Sequence, residues 1–320
     1  MNSASTPHVS RYRILLAFGC VYIFWGATYT AARFGVHLVP ATVLAGTRLC
    51  IAGCLMLLFC MVCGKRMWGS MVDMRRVFLL GVLLLFAGNV GLVWAEYYLP
   101  SGLSALLVAI IPVYVALIEM LLPNGERLRS RGQIGLILGF FGLAILAWPR
   151  VRAGFHGDIY QIVAVGVLLL GAFSFASGSI LSRHSKLSLD PFVCTGWEML
   201  VAGACDLTLA TVLHQWKYAV WDRGSVLAIA YMVVFGSLMG FSAYMWLLRN
   251  VPVAKVATYA YVNPMVAVLL GVLLLGERLQ ANEWVGMLVI LFAVFLVTSS
   301  KMKSDRLAAE LETVPIQTEA

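Results

Sequence analysis

Gly125-Glu126-Arg127-Leu128 recurs as Gly276-Glu277-Arg278-Leu279 in the second half of the chain, and this recurrence indicates an internal repeat. Other markers follow at nearly the same offset and in the same order: residues 46–53 are similar to residues 196–203, and several prolines also correspond. A single tetrapeptide would be weak evidence, whereas ordered markers at one offset are strong evidence. The chain is therefore expected to contain two copies of one module.

The composition is typical of a membrane protein. Hydrophobic residues make up 61% of the 320 residues, charged residues make up 12%, and the mean hydropathy is +0.90. A soluble domain carries about 25% charged residues, so this chain lacks the polar surface that contact with water requires. The net charge is +8, but the basic residues lie in short gaps between apolar stretches, where membrane topology places them. A nucleic-acid partner is therefore not expected.

Ten apolar stretches predict ten transmembrane helices. A helix needs about 20 largely apolar residues to cross a hydrocarbon core about 30 Å thick. Helices are expected rather than the strands of a barrel because the apolar runs are continuous and do not alternate. The predicted spans are residues 14–32, 40–63, 76–96, 101–122, 132–149, 158–181, 191–213, 225–248, 253–275 and 282–300. The predicted fold class is an all-α membrane protein.

The distribution of basic residues predicts the orientation of the chain. One set of alternate gaps contains 16 of the 23 Lys and Arg residues and the other contains 6. Because Lys and Arg accumulate on the cytoplasmic side, both termini are predicted to be cytoplasmic. Five spans per copy is an odd number, so the second copy is inverted, as in many secondary transporters. The predicted parts are a cytoplasmic segment (1–13), the first repeat (14–149), the second repeat (157–300) and a cytoplasmic tail (301–320).

The sequence contains no recognisable enzyme or cofactor motif. There is no phosphate-binding loop for ATP and no H-E-x-x-H, and the five histidines lie in loops or at span ends. The seven cysteines fall in apolar stretches rather than in extramembrane loops, which predicts packing residues and not a disulfide framework. Cys60 and Cys63 form a C-x-x-C without a histidine nearby. No catalytic residue, metal or cofactor is predicted.

Polar and aromatic side chains within the spans are candidates for a substrate pathway. An amide in lipid is costly unless it faces protein or water, and aromatic and hydroxyl groups at mid-span suit an amphipathic substrate. Other roles remain open for serines, which often pack helices together, and for residues at a span end, which water solvates. The candidates are Trp25, Thr28, Tyr29, Asn89, Glu96, Ser174, Ser177, Phe241, Tyr244, Tyr259 and Asn263.

Three intramembrane charges and two prolines are further candidates. Charges within a membrane are by default functional hypotheses. Arg48 and Glu198 occupy equivalent positions at similar depths and would pair if their helices adjoin, while Asp206 is a candidate for proton coupling or for a local pair. Pro112 and Pro264 lie inside the fourth and ninth spans. Because proline removes a backbone hydrogen bond in a helix interior, both are predicted hinges.

Several stretches resemble the EamA family of the drug/metabolite transporter superfamily. The resemblance is carried by residues 24–29 (Phe-Trp-Gly-Ala-Thr-Tyr), residues 95–102 (Ala-Glu-Tyr-Tyr-Leu-Pro-Ser-Gly), residues 259–267 (Tyr-Ala-Tyr-Val-Asn-Pro-Met-Val-Ala) and the two G-E-R-L boxes. It implies a multi-pass bundle of ten helices in the bacterial inner membrane, with a central cavity lined mainly by helices 1, 3, 4, 6, 8 and 9. It also implies export of metabolites, amino acids or drug-like compounds without ATP. Protons are the candidate coupling ion that Asp206 suggests.

Two other functions are compatible with the same residues. One is export of aromatic cations, as by a multidrug transporter, and the other is a scaffold that transports nothing. A scaffold would not need polar groups that converge from both copies. The substrate and the oligomeric state are not specified by any pattern in the sequence.

Overall fold

The protein is a bundle of helices. A computed structural model describes residues 10–95, 97–99, 104, 107–123, 125, 128–154, 158–275 and 281–300. Within these residues we number ten helices in chain order. They are residues 11–36 (α1), Ala41–Val62 (α2), Met71–Ala95 (α3), Ile111–Leu121 (α4), Ser130–Gly154 (α5), Ile159–His184 (α6), Pro191–Val212 (α7), Arg223–Asn250 (α8), Tyr259–Leu275 (α9) and Ala281–Ser299 (α10).

Each predicted span corresponds to one of these helices, and most edges differ by only a few residues. The sequence predicts an end at residue 149 for the fifth span, but α5 continues to Gly154. Hydropathy marks where the apolar core ends, whereas the helical hydrogen bonds continue into the polar interface. A short helix, Val253–Val256, precedes α9, and a 3₁₀ turn, Gln215–Tyr218, lies between α7 and α8.

The outer surface of the bundle is apolar. Within the described part of the chain, α2, α3, α6, α7 and α8 are long and apolar enough to cross a membrane, and shorter apolar segments lie in α4, α5 and α10. Large side chains such as those of Phe59, Phe141, Leu170 and Phe292 are exposed on this surface. An exposed apolar belt of this kind is stable in lipid, not in water. The chain is a multi-pass membrane protein.

Helices α2 and α7 cross at glycines that mirror each other. A methyl group built on Gly53 of α2 would lie 2.9 Å from the carbonyl oxygen of Gly196 in α7. One built on Gly203 of α7 would lie 3.0 Å from the carbonyl oxygen of Gly46 in α2. In the aligned repeats Gly203 is the equivalent of Gly53, and Gly196 is the equivalent of Gly46. The second contact is therefore the first with the two helices exchanged, which is what a twofold axis between them produces.

Helices α5 and α10 repeat the same pattern. A methyl group on Gly135 would lie 2.9 Å from the carbonyl oxygen of Ala293, and one on Gly286 would lie 2.9 Å from that of Gly142. The offset between equivalent positions is the same here as between the two G-E-R-L boxes. Two pairs of equivalent helices therefore pack across one pseudo-twofold axis. Because each repeat has five helices, the repeats are inverted with respect to the membrane.

Polar caps fix where several helices begin. The side chains of Ser70, Asp158, Asp190 and Asp222 each accept a hydrogen bond from a backbone N–H in the first turn of α3, α6, α7 and α8, respectively. Such caps satisfy amide groups that have no partner within the helix. They lie at the ends of the apolar stretches, so each helix starts as the chain enters the membrane.

The placement of Pro112 differs from the expectation of an interior position. A turn at residues 109–110 precedes α4, and Pro112 lies in its first turn, where the missing N–H costs no hydrogen bond. Pro264, by contrast, lies inside α9. The two prolines correspond in sequence but not in helix position, because α4 starts later than its apolar stretch. The hinge role of both stays a prediction.

Three helices contain wide, π-helical turns. They lie at Val21–Trp25 in α1, Gly81–Ala87 in α3 and Met232–Phe241 in α8. Turns of this type are rare in proteins as a whole, but those that occur are often at functional sites. All three helices contribute to the cavity described below.

Side chains from neighbouring helices bond to carbonyl groups in two of these wide turns. Trp25 Nε1 in α1 donates to the carbonyl oxygen of Gly236 in α8 over 2.9 Å. Ser174 Oγ in α6 donates to the carbonyl oxygen of Leu83 in α3, also over 2.9 Å. Helix α1 is equivalent to α6, and α8 is equivalent to α3. In both cases a side chain from the first helix of one repeat therefore bonds to a wide turn in the third helix of the other repeat. The donor is a tryptophan in one case and a serine in the other.

Candidate transport cavity

A cavity of about 110 Å³ lies inside the bundle between the two repeats. This volume is several times what one water molecule requires. Its wall comes from α1, α2, α3, α4, α6, α8 and α9, together with one residue just before α4. The lining residues are Trp25, Thr28, Ala32, Arg48, Leu49, Leu84, Leu85, Gly88, Asn89, Leu92, Val93, Val108, Ile111, Leu168, Ala172, Phe175, Gly236, Ser237, Phe241, Tyr259 and Asn263.

The cavity lies between the middle of the membrane and one face. We call the face at which α1 begins the N-terminal face, and the other the opposite face. At 1.5 Å per residue, Trp25 is about 21 Å from the start of α1 at the N-terminal face. Arg48 is about 10 Å from the start of α2 at the opposite face. Trp25 therefore lies near the middle of the membrane, and Arg48 lies nearer the opposite face.

Four aromatic rings form a compact cluster at the inner end of the cavity. The Trp25 ring lies 5.0 Å from Tyr259, 5.1 Å from Tyr244 and 6.3 Å from Phe175, measured between ring centroids. The other three centroid distances among these residues are between 5.4 and 6.2 Å. Every ring thus contacts the other three, at separations where aromatic pairs attract one another. We call these four residues the aromatic cluster.

Buried hydrogen bonds close the bundle between the aromatic cluster and the N-terminal face. Tyr22 Oη lies 2.9 Å from Thr258 Oγ1 and joins α1 to the turn before α9. Tyr244 Oη lies 2.6 Å from Ser179 Oγ and joins α8 to α6. Tyr244, Ser179 and Thr258 are all buried. On this side of the cavity the bundle is closed by ring contacts and by hydrogen bonds that join the two repeats or neighbouring helices within the second repeat.

Polar contacts continue this closure at the N-terminal face itself. Arg183 Nη1 at the end of α6 donates to the carbonyl oxygen of Arg249 at the end of α8 over 2.6 Å. His184 Nε2 lies 3.3 Å from the carboxylate of Glu119, which is almost completely buried near the end of α4. Two helix ends of the second repeat and one of the first are thereby held together.

Arg48 is the one charged residue among the described residues of the wall. Its side chain is 8% exposed. Nη2 donates to Asn89 Oδ1 over 3.2 Å, and Nη1 lies 3.6 Å from the sulfur of Met232. Nε has no hydrogen-bond partner. The guanidinium therefore faces the cavity with only part of its hydrogen-bonding capacity used.

Arg48 and Glu198, for which the sequence leaves pairing open, do not pair. Both carboxylate oxygens of Glu198 are buried and accept no hydrogen bond, and Arg249 is the basic residue that interacts with Glu198 electrostatically. The negative charge that interacts with Arg48 is that of Asp206, although its two oxygens also accept no hydrogen bond. Helices α2 and α7 do adjoin, but the side chains of Arg48 and Glu198 point in different directions around the contact between these helices.

Comparison with known proteins identifies the family. The model of the EamA-like transporter family matches residues 12–148 and again residues 162–299, so one family unit matches each half of the chain. The protein belongs to the EamA-like transporter family.

Relatives of this EamA-like transporter are membrane transporters. The chain is 35% identical over 297 residues to the uncharacterized inner membrane transporter YedA of Escherichia coli, and the match covers 91% of this chain and 94% of that protein. It is 26% identical over 305 residues to the uncharacterized transporter YvbV of Bacillus subtilis, with coverage of 94% and 95%. A solved crystal structure of a protein at 19% identity matches the fold with a TM-score of 0.74, over 95% of this chain and 100% of that one.

Most sequence-predicted pathway residues of this EamA-like transporter lie at the cavity, but not all do. The wall contains Trp25, Thr28, Asn89, Phe241, Tyr259 and Asn263. Tyr244 is in the aromatic cluster, outside the wall.

The remaining candidates are elsewhere. Ser174 and Ser177 lie outside the wall, and their hydroxyls donate to the carbonyl oxygens of Leu83 and Phe173, so both serve the backbone. The side chain of Tyr29 and the whole of Glu96 fall outside the described residues.

The structure also brings to the site of this EamA-like transporter residues that the sequence pattern did not predict. Phe175 lines the cavity and belongs to the aromatic cluster. It occupies the position in the second repeat that corresponds to Trp25 in the first, so the repeat itself was a signal that could have identified it. Ser237 in the wall and the buried Glu119 near the N-terminal face were also not selected. Arg48, which the sequence predicts to pair with Glu198 if their helices adjoin, lies in the wall.

Proposed function

We propose that this protein is a secondary transporter that exports a small amphipathic metabolite, such as an amino acid with an apolar side chain, by alternating access. The observation that supports this most is the position of the cavity. It lies near the middle of the membrane, draws its wall from both inverted repeats, and is closed toward the N-terminal face by the aromatic cluster and the hydrogen bonds beyond it. Carriers of this architecture exchange two access states around such a site.

The chemistry of the wall supports a substrate with an apolar part and a polar part. Aromatic rings and aliphatic side chains form most of the wall, while Thr28, Asn89, Ser237 and Asn263 add hydrogen-bonding groups. A pocket of this kind buries the apolar part and orients the molecule through a few polar contacts. Export is the direction that the family resemblance implies, and the distribution of Lys and Arg predicts that the N-terminal face is cytoplasmic.

Counterflow in proteoliposomes tests this function. The purified protein is reconstituted into vesicles loaded with an unlabelled amino acid, and entry of the same labelled compound is measured without ATP. We expect accumulation above that in empty liposomes for an apolar amino acid such as phenylalanine, and loss of accumulation in Trp25→Ala. Absence of counterflow for every amino acid tested would overturn the proposal, and an imposed pH gradient shows whether protons are coupled.

An exporter of aromatic cations is the second candidate, and the aromatic cluster favours it. Ring faces attract cations, and Trp25, Phe175 and Tyr259 line the cavity. The guanidinium of Arg48 opposes it, because a cationic substrate would enter a wall that already carries a positive charge without a negative partner among the described lining residues. Flux of ethidium in the same vesicles, larger than that of any amino acid, would favour the cation exporter.

A native cysteine tests the proposed sidedness. Cys63 is exposed directly after the end of α2, at the N-terminal face, and it is a free thiol. If this face is cytoplasmic, a membrane-impermeant maleimide labels Cys63 in inside-out vesicles and not in right-side-out vesicles. Cys63→Ser is the control that assigns the label. Labelling of Cys63 in right-side-out vesicles alone would reverse the orientation and the proposed direction.

A further inference from the structure

We propose that Arg48 and Asn89 form an anion site in the cavity that holds a carboxylate group of the substrate. The proposal rests on the transport function proposed above and narrows it to amphipathic monocarboxylates. It is carried by three features of the described residues: the unused donors of Arg48, the orientation of Asn89 and the apolar character of the rest of the wall.

The guanidinium of Arg48 has N–H donors that no acceptor uses. An arginine side chain carries five N–H donors in a fixed plane. One Nη donor is used by Asn89 Oδ1, another points at the weak acceptor sulfur of Met232, and Nε has no partner. A cation this deep in a membrane protein is costly unless it is paired or faces a polar cavity. Without a ligand, Arg48 is therefore incompletely satisfied.

Asp206 does not take the place of a ligand. It interacts with Arg48 electrostatically, but its carboxylate oxygens accept no hydrogen bond, and it does not line the cavity. Asp206 belongs to α7, whereas the cavity side of Arg48 faces Asn89 of α3. Asp206 thus accepts no hydrogen bond from Arg48, and the donors of Arg48 at the cavity are left for an anion.

The hydrogen bond from Arg48 sets the orientation of Asn89. Because Asn89 Oδ1 accepts from Arg48, its Nδ2 group is turned away, and this group has no hydrogen-bond partner. Arg48 Nε and Asn89 Nδ2 are thus buried N–H donors without acceptors, on two neighbouring residues of the wall. A carboxylate has two oxygens that accept in the plane of a guanidinium, and it would satisfy donors of both residues together.

The rest of the wall favours a molecule with a single carboxylate and an apolar body. Arg48 is the only cation among the described residues that line the cavity, so the site does not match a dianionic phosphate, which arginine clusters bind. The rings of Trp25, Phe175 and Tyr259 lie deeper in the bundle, away from the opposite face. A substrate with its carboxylate at Arg48 would place a ring or aliphatic chain against them.

Thermal stabilisation by matched ligand pairs tests the anion site. Each pair differs only in charge: phenylalanine and phenylalaninamide, and indole-3-acetate and indole-3-acetamide. We expect the carboxylate member of at least one pair to raise the Tm of the purified protein, with at least a tenfold lower apparent Kd than its amide. In Arg48→Gln this preference disappears, in Arg48→Lys it is weakened but present, and in the control Glu198→Gln it is unchanged.

Several results would overturn the proposal. They are an amide that stabilises the wild type as well as its carboxylate, an Arg48→Gln variant that keeps the preference, or the absence of stabilisation by both members of both pairs. Counterflow separates this failure from failure of the proposed function. Flux of a neutral or cationic compound that Arg48→Gln leaves unchanged removes the anion site and keeps the transporter, whereas absence of flux for every solute removes the transporter.

Discussion

Helices α2 and α7 are equivalent in packing and different in charge. Their glycines contact the partner backbone in reciprocal fashion, with Gly53 on Gly196 and Gly203 on Gly46. Yet the equivalent positions 48 and 198 carry opposite charges, and only Arg48 reaches the cavity. Backbone contact at the axis is constrained by symmetry, while a side chain one turn away is free to diverge. Residues that are the same in both repeats thus form the scaffold, and residues that differ between the repeats form the site.

The largest effect is expected from a change in the symmetric glycine contact between α2 and α7. In Gly203→Ala the new methyl group would lie 2.6 Å from the backbone nitrogen of Cys50, so the two helices must separate. We expect a loss of about 1–3 kcal/mol of stability, the usual cost of overpacking, measured as a lower Tm in detergent.

Two further variants complete this test. The equivalent variant Gly53→Ala should lower the Tm by a similar amount, because its contacts are the reciprocal ones. Gly166→Ala is the control, because nothing lies within 4 Å of a methyl group at that position. Equal Tm values for Gly203→Ala and Gly166→Ala would contradict the close contact between α2 and α7.

The second effect tests the difference in charge between the equivalent positions 48 and 198. Arg48→Gln should lower the initial counterflow rate at least about tenfold, which corresponds to about 1.4 kcal/mol, because the substrate loses its charged partner. Glu198→Gln should leave that rate within about twofold, because Glu198 lies outside the cavity wall. Arg48→Gln also removes the positive charge that interacts with buried Asp206, so a lower Tm is expected for this variant and not for Glu198→Gln. Equal losses of transport in both variants would mean that position 48 has no special role.

The third effect extends the comparison to α1 and α6. Trp25 and Phe175 occupy equivalent positions in the two repeats and meet in the aromatic cluster, but only Trp25 donates a hydrogen bond, to the carbonyl oxygen of Gly236. Trp25→Phe keeps a ring and loses that bond, which should cost about 1 kcal/mol and be detected as a lower Tm. Phe175→Tyr is the matched control, because it keeps the ring. A Tm loss in the control alone would contradict the assignment of the bond.

The smallest effect concerns a surface link between the two helices. Lys65, after α2, lies 2.9 Å from Asp190, which caps α7. Burial tends to raise the pKa of Asp190, but hydrogen bonds from Lys65 and from the backbone of Phe192 outweigh it, so the pKa lies below its ordinary value of 3.8.

This link predicts a small pH dependence. A lowered carboxyl pKa gives stability that is present above the ordinary value and is lost as the pH falls through the lowered one. Lys65→Met should reduce the Tm slightly at pH 7, because exposed ion pairs contribute little. The difference from wild type should vanish in acid once the pH is below the lowered pKa of Asp190. A difference that grows in acid would contradict the sign of the pKa shift.

The fold was predictable because its determinants are local or repeated in the sequence. Apolar runs define the spans, and the nearly constant offset between matching motifs defines the inverted repeat. The exceptions have physical causes. The start of α4 at Ile111 follows a turn that hydropathy does not mark, so Pro112 was expected inside a helix.

The site was predictable only in part. Trp25, Asn89 and Asn263 stood out because polar and amphipathic groups contrast with an apolar span, whereas Phe175 shows no such contrast with its neighbours. The depths of Arg48 and Glu198 follow from residue counts, but the rotation of each helix about its axis does not. The glycine contacts of α2 and α7 are reciprocal and do not distinguish the two positions, yet Arg48 lines the cavity and Glu198 does not.

The wide turns in α1, α3 and α8 bear on how such a bundle rearranges inside lipid. Every backbone polar group must keep a partner there, so a helix cannot simply unwind. A turn that already holds an extra residue can advance along its helix by exchanging one hydrogen bond for the next. Each step rotates the intervening residues by about 100°. We infer that movement of these turns along α1, α3 and α8 would rotate side chains at the cavity without exposing an unpaired peptide group to hydrocarbon.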